Sequence, residues 1–210
     1  MSNRGLVLIV DDDACFRTAL GRLLVASGFE VREFASAAEV LVNVPANQPA
    51  CVVADLQMPG LNGLELQEAL ARTSAALPFL FLTGHGDLPN AVRAMRRGAL
   101  DFLEKCAPKD QLIAAIDGAL ASARAAHAQR TREDELRRLF ARLTARELEV
   151  LTHVVRGRLN KQIAFNLGIQ VRTVKVHRGA ITTKIGVRSV AELTTLAHEA
   201  HVFSGGDASP

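Results

Sequence analysis

The first half of the chain alternates two hydrophobic rhythms. Leu6-Val7-Leu8-Ile9-Val10, Cys51-Val52-Val53-Ala54 and Phe79-Leu80-Phe81-Leu82 are short, unbroken apolar runs of the length of a buried parallel strand. Phe29 to Phe34 and Leu100-Asp101-Phe102-Leu103, though interrupted by charged residues, read as two more short strands. Between the runs the spacing turns helical. Phe16, Leu20, Leu23 and Leu24 recur up to Ser27, where Gly28 provides a stop, and Ser36-Ala37-Ala38-Glu39 is a capping box that opens a second helix. Gly63 to Thr73, Pro89 to Arg97 and a segment from about Pro108 read as three more. Five βα units in succession predict an α/β domain built on a doubly wound, five-stranded parallel sheet.

The second half carries only the helical rhythm. Ala119 to Phe140 lacks Gly and Pro and is dominated by good helix formers, so the last helix of the first domain is expected to continue as a long linker. Gly118 is the weak point of that expectation. Four shorter helices follow. Thr144-Ala145-Arg146-Glu147 boxes the first, Asn160 is the expected cap of the second, the third spans about Val171 to Ile185, and Ser189-Val190-Ala191-Glu192 boxes the fourth. Gly168 separates the second and third by a few residues, a helix-turn-helix spacing. The predicted organisation is an α/β domain over 1–122, a helical linker over 123–140, an all-α four-helix domain over 141–204 and a polar tail over 205–210.

Charge sharpens this division. Of the 210 residues, 1–125 hold 11 Lys/Arg against 14 Asp/Glu, a net of −3, and the rest hold 14 against 8, a net of +6. The basic half is the candidate for a polyanionic partner. No apolar run is long enough to span a bilayer, and the run after Gly5 is stopped by Asp11, Asp12 and Asp13, too early for a signal peptide. The expected compartment is the cytoplasm, with no membrane partner. Cys15, Cys51 and Cys106 are odd in number and lack metal-ligand spacing, so reduced, mostly buried thiols are expected.

In an open α/β sheet, ligands bind outside the carboxyl ends of the strands. Asp11, Asp12 and Asp13 follow the first strand, Asp55 the third, Thr83 the fourth and Lys105 the fifth. Any one of these is an ordinary strand-end cap; all of them together imply chemistry. Converging carboxylates repel unless a hard divalent cation joins them, and Mg²⁺ suits an oxygen-only set. Lys105 offers a positive charge to a phosphoryl oxygen, Thr83 a hydroxyl, and one carboxylate would serve as the nucleophile.

Val10-Asp11-Asp12-Asp13, Asp55-Leu56-Gln57-Met58-Pro59-Gly60-Leu61-Asn62-Gly63, Thr83-Gly84-His85-Gly86-Asp87 and Asp101-Phe102-Leu103-Glu104-Lys105 resemble, in order and spacing, the receivers of response regulators. The resemblance covers about residues 5–120. It implies a CheY-like fold with Asp55 as phosphoacceptor from a sensor histidine kinase. Asp11, Asp12, Asp55 and the backbone carbonyl of Gln57 would hold Mg²⁺, and Thr83 and Phe102 would form a switch pair beside Lys105. Asp13 matches no required position and is read as a helix cap. His85 resembles a position common in the FixJ-type branch and is assigned no role. One departure stands out: most receivers place Pro after the lysine, often through a cis bond, where this chain has Cys106. Either a trans bond with Lys105 shifted or a strained cis bond is expected, since a non-proline cis bond costs about 3–4 kcal/mol.

On the third helix of the basic half, Arg172, Lys175, Arg178 and Lys184 are cationic, while Val174, Ile181 and Ile185 have the spacing of a buried stripe. An exposed cationic face can neutralise phosphates and read guanine edges. Leu143-Thr144-Ala145-Arg146-Glu147-Leu148-Glu149-Val150-Leu151, Asn160-Lys161-Gln162-Ile163-Ala164 and Thr173-Val174-Lys175-Val176-His177-Arg178 resemble the LuxR/NarL-type DNA-binding domain over about residues 140–202. The resemblance implies a recognition helix on which Lys175 and Val176 face bases, with Arg172, Thr173, Arg178 and Lys161 on phosphates. Gln170 stands where Ser often caps that helix, which predicts a weaker cap, and Gly179 leaves another DNA-facing position without a side chain.

Together the two halves imply a regulator rather than an enzyme. Phosphorylation by a histidine kinase would drive homodimerisation and binding to double-stranded promoter DNA, with RNA polymerase a further candidate partner. Two alternatives stay open at the level of sequence. The receiver could be an unphosphorylated dimerisation module, which the Lys105-Cys106 departure supports slightly and the intact Asp11, Asp12, Asp55 and Thr83 argue against. An aspartyl-phosphate phosphatase also uses strand-end carboxylates, but it needs a capping insertion for which the first half has no room.

Overall fold

In the computed structural model, which describes residues 4–45, 48–72, 77–84, 88–200 and 202, the five predicted segments are strands. These are β1 (Leu6–Val10), β2 (Glu30–Phe34), β3 (Ala50–Asp55), β4 (Phe79–Thr83) and β5 (Asp101–Glu104). All pair in parallel, in the order β2-β1-β3-β4-β5. The alternation of side chains explains why the runs are apolar throughout. Leu6, Leu8 and Val10 of β1 join Val52 and Phe81 in one core, while Val7 and Ile9 join Val53, Leu80 and Leu82 in the other. Both faces of the central strands β1, β3 and β4 are buried, so these tolerate no polar residue until they end, while the edge strands β2 and β5 carry exposed Arg32, Glu33 and Glu104.

Helices cover the two faces. α2 (Ala37–Val42), α3 (Gly63–Ala71) and α4 (Leu88–Arg96) supply Val40, Leu66, Leu70 and Ala94 to the first core. α1 (Ala14–Ala26) and the start of α5 (Lys109–Phe140) supply Leu20, Leu24, Ile116 and Leu120 to the second. The chain divides into two units, residues 1–127 and 128–210. α5 belongs to both: it runs unbroken through Gly118, and its last turns place Leu136 and Phe140 in the core of the second unit. That unit adds α6 (Ala145–Val155), α7 (Asn160–Leu167), α8 (Val171–Ile185) and α9 (Val190–Glu199).

Caps settle the ends of these helices. Asp13 caps α1, accepting from the amides of Cys15 and Phe16 at 2.9 and 3.1 Å. Asn62 and Glu65 form a reciprocal box on α3, as Thr144 and Glu147 do on α6. The expected cap of α7 is corrected. Leu159 is the N-cap, Gln162 reaches back to its amide at 2.8 Å, and Asn160 is the first helical residue. α8 starts after Gln170 with no side-chain cap, as the missing serine predicted. The cysteine expectation is also corrected. All three are free, but only Cys51 is buried; Cys15 lies on the solvent side of the first turn of α1, and Cys106 in the exposed loop after β5. Thr73, His85 and the tail over 205–210 lie outside the described residues. Among the described residues no helix is long and apolar enough to cross a membrane.

Candidate functional site

β1 and β3 are neighbours whose following helices leave on opposite faces, so a crevice opens beyond their carboxyl ends. Asp11 and Asp12 leave β1 into this crevice, and Asp55 ends β3. Oxygen atoms of the three carboxylates lie within 4.8 Å of one another. Asp11 is almost fully buried and Asp55 nearly so, while Asp12 is exposed. This is an all-oxygen set of the kind a hard divalent cation takes.

Lys105 reaches the same point from β5. Its Nζ lies 2.7 Å from Asp11 Oδ2 and 2.8 Å from Asp55 Oδ2. The Lys105–Cys106 bond is trans. The amide of Lys105 donates to the carbonyl of Thr83 at 2.8 Å, continuing the β4–β5 ladder one residue past its end, and this bond aims the side chain without a proline. The ring of Phe16 lies beneath the ammonium, with Nζ 4.5 Å from its centroid. Burial pulls the Lys105 ammonium toward neutrality, but hydrogen bonds to Asp11 and Asp55 outweigh it, and the pKa stands above its ordinary value. For Asp11, burial wins over the hydrogen bonds from Lys105 and Asp13, and its carboxyl titrates above the usual range.

The rest of the pocket is backbone and packing. Asp55 Oδ1 accepts from the amide of Gln57 at 3.2 Å, and Asp11 Oδ1 from that of Asp13 at 2.9 Å. Thr83 is buried at the end of β4, and Phe102, two strands' width from β3, packs partly buried against the core under α4. Three features of the pocket, at Phe16, Arg17 and Gly63, go beyond the sequence reading. Phe16, part of the helical apolar spacing of α1, also underlies the Lys105 ammonium. Arg17 donates to the carbonyl of Asp11 at 2.5 Å, fixing the turn that carries the carboxylates. Gly63 begins α3 against the end of β3, where a Cβ would run into the Asp55 carbonyl and the Phe81 ring. The exposed thiol of Cys106 sits 3.3 Å from Glu104 Oε2. Only the glycine had a visible signal, at the end of the Asp55–Gly63 motif.

In the second unit, Gly168 ends α7 in the left-handed conformation and lets α8 start three residues later. Val174, Ile181 and Ile185 are buried as their spacing predicted. Arg172, Lys175, Val176, Gly179 and Thr183 form the exposed strip of α8, and Lys161 is exposed on α7. Thr173 is half-buried. Two of the cations are held within the unit. Arg178 donates to Asn160 Oδ1 at 2.7 Å, tying α8 to the start of α7. Lys184 leaves the exposed strip altogether: its Nζ contacts both oxygens of the buried Glu147 at 2.9 and 2.7 Å. The hydrogen bond from Lys184 and that from the Thr144 amide hold the Glu147 carboxyl below its ordinary value.

Residues 7–117 match the family described as the response regulator receiver domain, and residues 141–197 match the bacterial regulatory proteins of the luxR family. Nodulation protein W of Bradyrhizobium diazoefficiens is 38% identical over 93% of this chain and 86% of its own length. The transcriptional regulatory protein FixJ of Azorhizobium caulinodans is 40% identical over 97% of both chains. Among solved structures, the response regulator StyR is similar with a TM-score of 0.82 and 44% identity, covering 92% of this chain and 98% of that one.

Proposed function

This chain belongs to the two-component response regulators that join a receiver to a LuxR-type DNA-binding domain, and from that premise we propose that Asp55 is its phosphoacceptor. It is a phosphorylation-controlled, DNA-binding transcriptional regulator. A sensor histidine kinase supplies the phosphoryl group. An Asp55 carboxylate oxygen attacks phosphorus, the bond from phosphorus to the kinase histidine nitrogen breaks, and an acyl phosphate forms. The observation that carries this reading is the trio of carboxylates within 4.8 Å, two of them already held by Lys105.

Asp11, Asp12, Asp55 and the Gln57 carbonyl would hold Mg²⁺. A cation held there would supply positive charge to offset the carboxylates and the incoming phosphoryl group. Lys105 keeps one cationic contact on Asp55 and, with Thr83, takes the oxygens of the transferred group. Withdrawal of Thr83 toward phosphate frees space that Phe102 fills, remodelling the face of α4 and β5. Val92, Met95 and Leu100 are exposed apolar residues there, which supports that face as the homodimer contact. On DNA, Lys175 and Val176 face base edges while Arg172, Thr173, Arg178 and Lys161 take phosphates, with RNA polymerase a further partner. We assign the receiver to 1–122, the linker to 123–140, the DNA-binding domain to 141–204 and the tail to 205–210, and place the protein in the cytoplasm.

Intact-mass analysis after incubation with acetyl phosphate tests the centre of the proposal. A Mg²⁺-dependent phosphoryl adduct is expected on the wild type and none on Asp55→Asn. An adduct that persists on Asp55→Asn would move the phosphoacceptor elsewhere. No adduct on either protein would leave the receiver as an unphosphorylated dimerisation module.

A further inference from the structure

We propose that Gly179 is the point of closest approach between the recognition helix and DNA, kept bare so that α8 can seat deeply in the major groove. The inference rests on the DNA-binding reading above and extends it to a residue with no side chain.

Glycine in a helix interior is a poor choice for helix stability; one that no neighbour requires is either a tolerated cost, as at Gly118 of α5, or kept bare for an external contact. Two intramolecular reasons are usual, a left-handed backbone or a neighbour too close for a Cβ. Gly179 has neither. It is not among the glycines with positive φ, and beyond the backbone of its own helix a Cβ built on it meets no atom of the described residues within 4 Å. Gly21 of α1 differs in this respect, because a Cβ there would meet the Glu33 carboxylate. Nothing among the described residues of this unit therefore requires Gly179 to be bare.

Its position supplies an external reason. Gly179 lies one turn after Lys175 and Val176 and one turn before Thr183, at the centre of the exposed strip of α8. Val176 is 63% exposed, with a small branched side chain. The middle of the strip is thus low, and the cations Arg172 and Lys175 flank it on the N-terminal side. An α-helix with its side chains is about 10–12 Å wide, and the major groove is about 12 Å wide. With so little slack, a side chain at the centre of the inserted face sets how far the helix enters, and that depth decides whether Lys175 and Val176 reach base edges.

Gly179→Ala and Gly179→Leu, with Gly118→Ala as control, separate the roles of fold and interface. Gly118 is also exposed in a helix interior with open space around it, but on α5. The probe is a duplex pool enriched from a randomised library by the full-length wild-type chain after acetyl phosphate treatment, compared at one salt concentration. Gly118→Ala should raise the melting temperature and leave DNA affinity unchanged. Gly179→Ala should also raise it, yet weaken binding about tenfold, and Gly179→Leu about 100-fold, the range of one or two lost base contacts. Binding by both Gly179 variants within about threefold of wild type, well under one lost base contact, would overturn the proposal. So would a lower melting temperature for Gly179→Ala, which would return the glycine to the fold. Failure of the wild type to enrich any duplex would instead overturn the DNA-binding reading on which the proposal rests.

Discussion

At the scale of single residues, the pocket depends on atoms that carry no charge. Asp55 is held where it is because α3 begins hard against the end of β3, and only glycine fits at that contact. Gly63→Ala would improve helix propensity, so any loss it causes is steric. We expect a destabilisation of about 1–3 kcal/mol, the range for overpacking, read from the urea midpoint of the receiver transition, together with slower adduct formation on Asp55. Unchanged stability would mean that α3 can retreat from β3 freely. Lys105 makes a related point. A trans bond to Cys106 still delivers its ammonium to Asp11 and Asp55, because the backbone bond to Thr83 does the aiming. The pairing also places a cation on two carboxylates, one of which, Asp11, is nearly sealed from water.

Among the helices, α5 and α6 show how much one element can depend on residues distant in sequence. The composition of α5 favours a helix, but its C-terminal turns are anchored by burial, with Leu136 and Phe140 both under 4% exposed. Leu136→Ala should cost about 2–5 kcal/mol, lowering the transition of the second unit while leaving that of the receiver in place by differential scanning calorimetry. Glu147 holds α6 to α8 through Lys184 while closing the capping box of its own helix. Its folded pKa lies below its ordinary value of 4.5. The fold therefore favours the charged form, and the stabilisation is complete above that value and lost as pH falls through the folded one. Glu147→Gln should be less stable than wild type at neutral pH, and the gap should close in acid below about pH 4, under the ordinary glutamate value. A gap of constant size down to pH 3 would show that packing, not charge, is what the substitution removes.

For the whole molecule, the division of charge becomes a division of labour. The half of net −3 carries the acidic pocket, and the half of net +6 carries the cationic strip. DNA affinity should fall with salt at a slope of about −0.9 per neutralised phosphate. Lys161→Ala should reduce the slope by about 1 per bound copy, whereas Lys184→Ala should leave it unchanged, because that ammonium is already committed to Glu147. Equal changes for both, measured by fluorescence anisotropy over a salt series, would sink the distinction. The sequence by itself determined the five strands, the continuous α5, the helix-turn-helix, and the gathering of Asp11, Asp12, Asp55, Thr83 and Lys105 at one edge. It could do so because strand and helix periods and strand-end polarity are local properties. Only the tertiary structure decided that Lys184 turns inward, that Asn160 serves Arg178 instead of capping α7, that Cys15 and Cys106 face solvent, and that Phe16 underlies Lys105. Each of those depends on which side chain from a distant element fills a given position, and no periodicity along the chain encodes that.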